Sequence, residues 1–388
     1  MKKLGLLPKI LIAIALGIAI GSFSPAWLVA GLATFSGLFG NFLGFAIPLI
    51  IIGFIAPGIG ELGRGAGRLL GVTTGLAYLS TVIAGLLAFL AATLLYPYML
   101  EVGGLVNSYA NPEEALLEPF FKVDMPPVFG VMTALLLAFT LGLGAAVTKG
   151  QTLQKVMVDF REIVEKLIAS IIIPLLPYHI LCVFANLTYG GQVTTILSVF
   201  AKVFIMIIIL HVLFLTIQYL VAGQVAHKNP FAMLKNMLPA YFTAIGTQSS
   251  AATIPVTLRQ TKLNGVSGKV ADFVIPLCAT IHLSGSTITL VSCSMAVMLL
   301  TGMPTSIGMM FPFILMLGIT MVAAPGVPGG AVMAALGLLE SMLGFDTTLT
   351  SLMIALYIAQ DSFGTACNVT GDGAIAVITD RVSKSEPA

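Results

Sequence analysis

Charge is what this sequence has least of. Only 9% of its 388 residues are Asp, Glu, Lys or Arg, against 58% hydrophobic, and the mean hydropathy is +1.04. A soluble domain carries about a quarter charged residues, so no water-facing shell can be built from this supply. Cysteine is sparse too. Cys182, Cys278, Cys293 and Cys367 lie in apolar stretches without paired spacing, which excludes a disulfide framework or a cysteine-based metal site. A net charge of +2 gives no sign of nucleic-acid binding. No A-x-A cleavage site follows the first apolar run, Ile10 to Gly21, so that run reads as a first span and not as a signal peptide. What is present is forty glycines in an apolar chain, which fits packed transmembrane helices. A bilayer core of about 30 Å needs about 20 residues per helix, which leaves room for about eight to ten spans. The chain reads as a polytopic membrane protein.

The basic residues set the orientation. With a cytoplasmic N-terminus, spans at 10–30, 36–57, 69–97, 128–148, 167–188 and 196–223 bring Arg64, Arg68, Lys149, Lys155, Arg161, Lys166, Lys228 and Lys235 to the inner face. The acidic loop with Glu101, Glu113, Glu114, Glu118 and Asp124 then lies outside. Segment 237–258 breaks the alternation, because Arg259, Lys262 and Lys269 follow it. A helical hairpin that enters and leaves on the cytoplasmic side restores the rule, with its tip at Gly246 to Pro255. A seventh span, 271–300, leads out. Segment 307–339 is interrupted by Ala324-Pro325-Gly326-Val327-Pro328-Gly329-Gly330 and reads as a second hairpin from the outer face. An eighth span, 348–380, ends inside at Arg381 and Lys384. Of the eighteen basic residues, only Lys122 and Lys202 fall elsewhere. The expected fold is all-α, with eight transmembrane helices and two re-entrant hairpins, both termini being cytoplasmic in an inner membrane.

Irregular backbone at membrane depth survives only when buried in protein or lining a cavity. Two broken segments of opposite sense point to a midplane site in a secondary transporter, where helix ends hold small ions and carboxylates. The last span adds Asp361, Thr365, Asn368 and Asp372 on one helix face. An interhelical hydrogen-bond seam is the plainer reading, but two carboxylates exceed what a seam needs. Sites for a cationic amino group (Asp361) and a cation (Asp372, Asn368) explain the stripe better. Enzymatic readings fail: the two aspartates lie about 16 Å apart along one helix, too far to share a proton. Ser249 or Ser250 with His282 and Asp361 lacks a nucleophile elbow. His179, His211 and His227 read as packing or interfacial residues. His282, opening His282-Leu283-Ser284-Gly285-Ser286-Thr287, suggests local unwinding in mid-span and a group able to titrate near neutral pH.

These residues in this order resemble the dicarboxylate/amino acid:cation symporter family. The likeness covers nearly the whole chain, from Leu43-Gly44-Phe45-Ala46-Ile47-Pro48-Leu49 to Asn368-Val369-Thr370-Gly371-Asp372. It implies a homotrimer without enzymatic activity, working by an elevator mechanism. A trimerising scaffold (1–66 and 128–192) would carry a mobile transport domain (67–127, holding span three and the outer loop, and 193–388). The substrate site implied comprises Asp361 for the amino group, Thr365, Asn368 and Gly364, then Gln248, Ser249 and Ser250 of the first hairpin, and Val327, Pro328 and Gly329 of the second. The cation or proton site implied comprises Asp372, Asn368, His282, Ser284 and Thr280.

Three departures shape the expectation. Where acidic-substrate members of the family carry an arginine, this chain has Gly364, and Gln248 occupies the alternative arginine position. A second substrate carboxylate would be buried unpaired, so a neutral amino acid is expected. The pattern is similar to the serine/threonine branch. His282 and Ser284 stand where the family has an asparagine and an aspartate that ligate sodium, and Thr73, Leu76 and Ala77 align loosely with the span-three residues of that site. Sodium coupling is therefore expected to be weak or lost, with His282 carrying a proton or filling the cation's place. The alternatives are a sodium-coupled amino acid or dicarboxylate symporter using Asn368 and Asp372 with no other cofactor, and a substrate-independent ion channel.

Overall fold

The computed structural model describes residues 6–63, 67–100, 103, 116–148, 151–191, 193–322, 324 and 329–384. Among these there is no strand. Also among the described residues, five helical stretches are long and apolar enough to cross a bilayer: 26–60, 69–99, 152–189, 196–226 and 268–300, the last interrupted at His282-Leu283.

Helix α1 (Leu6–Phe23) stops earlier than its apolar run suggests. Ser24-Pro25 ends it, because proline disfavours helix in the residue before it and lacks the N–H that would continue the ladder. Helix α2 (Ala26–Gly63) follows at once and runs through Pro48 and Pro57. The first span is thus shorter than expected and the second longer. Helix α3 (Gly67–Met99) returns, and the Lys202 ammonium donates to its Met99 carbonyl at 2.7 Å. That capping of a helix C-terminus accounts for one of the two misplaced basic residues. The other, Lys122, pairs on the surface with Glu118 at 3.0 Å.

Helices α4 (Val131–Val147), α5 (Thr152–Leu167) and α6 (Ile173–Tyr189) come next, α5 and α6 being joined through one π-helical turn, Ile168–Ile172. Helix α7 (Val193–Ala226) is long and unbroken. Three helix–break–helix units follow: α8 (Pro230–Thr247) with α9 (Ser250–Leu263), α10 (Gly268–Ile281) with α11 (Ser284–Leu300), and α12 (Ile307–Met321) with α13 (Gly330–Leu343). The chain ends in α14 (Thr347–Lys384).

Packing falls into two blocks. Helix α1 lies along α6, and α2 lies against α4 and α6. Helices α3, α7 to α11 and α14 form the second block, with α12 and α13 against α3 and α14. Crevices of about 370 and 710 Å³ open between α2 and the start of α14, beside the close approach of Gly40 to Thr347. His179 of α6 bridges the blocks, its Nε2 2.8 Å from the Ser351 hydroxyl of α14 and its Nδ1 3.1 Å from Ser36 of α2. From Thr350 to Asp380 nearly every residue of α14 is buried, so its polar stripe faces protein, not lipid.

Candidate functional site

Each break is written in local chemistry. Gln248 takes a left-handed conformation (φ 52°), which a helix cannot continue, and the Ser249 hydroxyl accepts from the Ala252 N–H at 3.3 Å to start α9. At the second break His282 (φ −110°, ψ 90°) and Leu283 leave the helical region. Gly329, with φ 74°, opens α13. Val327 and Pro328, expected at this tip, lie outside the described residues.

The start of α11 is pressed onto α14. A Cβ at Gly285 would lie 2.5 Å from both the Gly364 carbonyl oxygen and the Cys367 Cβ, so only glycine allows this approach. The Asn368 side-chain oxygen accepts from the Gly285 N–H at 2.7 Å and the Ser286 N–H at 3.2 Å, while its amide nitrogen donates to the Ser286 hydroxyl at 3.0 Å. A residue of one helix thereby caps another across the break. From the other side, the ring of His211 on α7 holds the Gly285 carbonyl at 3.0 Å.

Above this seam, Asp361 is 5% exposed and faces a cavity of about 20 Å³. The Gly329 N–H donates to its carboxylate at 2.7 Å, and the hydroxyls of Thr365 and Tyr357 lie against it. Gln248, Ser250, Ala331 and Asn368 complete much of the wall, and among the described residues no basic side chain lines it. Of the residues expected to hold substrate, the structure thus joins Asp361, Thr365, Asn368, Gln248, Ser250 and Gly329. It does not bring Ser249 or Gly364 to the cavity. Ser249 is half-buried and caps α9, and a Cβ on Gly364 would meet the backbone of Gly285 and Ser286 at 3.6 Å. Sequence reasoning missed Tyr357, and it singled out Ser286 only as part of the unwound stretch after His282.

Below the seam, His282 Nδ1 lies 2.9 Å from the Asp372 carboxylate, and both side chains are sealed from solvent. On its far edge, His282 Nε2 is 2.9 Å from the Ser80 hydroxyl, to which the Gln218 amide donates at 2.8 Å. Gln218 Oε1 has no hydrogen-bond partner among the described residues. On span three, Thr73 donates to its own helix at Leu69, and Ser80 is the residue that reaches the histidine. Ser80 and Gln218 come from helices far from His282 in sequence, so no spacing marks them. Thr280 is exposed and donates to the Leu277 carbonyl, away from the pair, and the buried Ser284 hydroxyl has no partner among the described residues.

The comparison with known proteins follows this geometry. The profile of the Sodium:dicarboxylate symporter family matches residues 6–382. The chain belongs to that family. Excitatory amino acid transporter 2 of Homo sapiens is 31% identical over 260 residues, which is 65% of this chain and 45% of that protein. Excitatory amino acid transporter 1 of Rattus norvegicus is 26% identical over 303 residues, covering 74% and 54% respectively. The chain spans about half the length of these curated relatives. Together with its membrane-competent helices, the family makes this a multi-pass membrane protein.

The family's description names sodium, and the donors at Asn368 and Asp372 fit that ion poorly. A hard cation needs free oxygens. Here the Asn368 oxygen already accepts from two backbone N–H groups, and the Asp372 carboxylate faces a ring nitrogen.

Proposed function

We propose that this protein is a secondary transporter of a neutral amino acid, with sodium coupling weak or lost. The observation that carries the reading is Asp361: a buried carboxylate on a cavity wall that holds no basic side chain. A substrate ammonium supplies the missing counter-charge, whereas a second substrate carboxylate would stay buried and unpaired. Thr365, Asn368, Ser250, Gln248 and Gly329 orient the remainder.

His282 and Asp372 form the internal pair that stands in for a coupling cation. A neutral ring accepts a hydrogen bond from the Ser80 hydroxyl at Nε2 and donates one from Nδ1–H to Asp372. A protonated ring donates at both nitrogens, and a flip of the Gln218 amide then turns its unpartnered oxygen toward Ser80. The network thus accommodates either charge state, which suits proton coupling.

The block of α1, α2 and α4 to α6 acts as the scaffold of a homotrimer, and α3 with α7 to α14 acts as the moving unit of an elevator. In the bilayer this corresponds to eight spans, the pairs α8–α9 and α12–α13 being re-entrant hairpins. Both termini lie on the cytoplasmic side of the inner membrane. The crevices between the blocks and the single histidine bridge support that division.

The test is a thermal-shift screen of amino acids in sodium and then in choline, since a ligand that binds only the folded state raises its melting temperature. Stabilisation by alanine or serine in both salts is expected. Stabilisation by aspartate alone, and only in sodium, contradicts the reading. It favours instead a sodium-coupled carrier of acidic substrates, the second reading, which the family's description and the names of the relatives support.

A further inference from the structure

Tyr357 is fully buried, yet no part of the transport reading uses it. It sits four residues before Asp361 on α14, so its ring occupies the same helix face one turn away and closes one end of the cavity. Its hydroxyl donates to Ser286 Oγ at 3.0 Å, and that oxygen also accepts from the Asn368 amide at 3.0 Å. The ring is therefore pinned to both α11 and α14. Swinging it aside would strand a buried phenol and break the hydroxyl chain that ends on Asn368.

At about 20 Å³ the cavity has room for little more than a water, so a bound amino acid must displace part of the wall. Gln248 sits at a strained tip with a flexible side chain and can yield. Tyr357, locked between two core helices, cannot. We infer that Tyr357 is the specificity-determining residue that sets the upper size of the substrate side chain, restricting the carrier to side chains the size of alanine or serine. The inference rests on Asp361 holding the ammonium.

The test is a binding series of glycine, alanine, serine, valine, leucine and methionine on the purified full chain, for wild type, Tyr357→Phe and Tyr357→Ala. A pocket discriminates roughly tenfold or more per methylene. Wild type should bind alanine and serine and weaken stepwise through valine to leucine. Tyr357→Phe, which keeps the ring but loses the hydroxyl anchor, should shift the leucine-to-alanine ratio toward leucine by less than Tyr357→Ala does. Tyr357→Ala should shift that ratio toward leucine by about 100-fold. Leucine bound as tightly as alanine by wild type overturns the inference, even if the alanine variant does not fold. An unchanged ratio in a folded Tyr357→Ala overturns it too, while leaving the carrier reading intact. If none of the series stabilises wild type, the carrier reading itself falls and takes this inference with it.

Discussion

Asp361 and Asp372 occupy one face of one helix, three turns apart, yet their surroundings assign them different tasks. Asp372 is matched internally by His282, whereas Asp361 meets only a backbone N–H and hydroxyls, an incomplete set for a buried charge. Replacing Asp361 with Asn should abolish stabilisation by amino acids while leaving the fold intact, as read by thermal shift. A variant that still responds normally would refute the site assignment. Removing the internal partner has a different signature. His282→Ala leaves the Asp372 carboxylate buried without its donor, and breaking such a pair costs about 3–5 kcal/mol. Chemical unfolding in detergent should show a loss of that order with or without substrate, and an unchanged midpoint would mean the pair is not ionised in the folded state.

At the scale of the element, function is built from helix breaks. Asn368 closes the break between α10 and α11 by capping the next helix, so Asn368→Ala should release the Gly285 and Ser286 amides. Leaving such buried donors unsatisfied costs on the order of 1–3 kcal/mol. Hydrogen exchange localised to Gly285 and Ser286 should rise by a corresponding factor; exchange that stays slow would show that other groups hold the turn. The breaks were legible in the sequence for a physical reason. Gly246 to Pro255, and Gly285 among hydroxyls, are poor continuous helix, and basic residues on the wrong side of segment 237–258 demanded a return. The limits of the first span were not legible, because a single Ser24-Pro25 step counts for little against a long apolar run. The network behind His282 was hidden as well. Ser80 and Gln218 sit on separate helices, and only packing brings them to one ring. Tyr357 carried no mark at all, since a tyrosine amid Leu356 and Ile358 reads as packing until its hydroxyl is seen to reach Ser286.

The molecule as a whole joins two blocks by few polar ties, of which His179 with Ser36 and Ser351 is the most central. If the second block moves, tying α2 to α14 should stop transport without touching the amino acid site. Ser36→Cys with Ser351→Cys, linked by a bifunctional thiol reagent in a background lacking the native cysteines, should lose uptake and keep amino acid stabilisation. Full uptake after complete cross-linking would rule out relative motion at that seam.

The central claim is that a neutral amino acid pairs with Asp361 while His282 replaces the coupling cation. Uptake of labelled alanine or serine into proteoliposomes, with inward sodium compared with choline, tests it most directly. The account predicts saturable uptake in choline, little change with sodium, and no competition by aspartate. Uptake that requires the sodium gradient and is outcompeted by aspartate would contradict it.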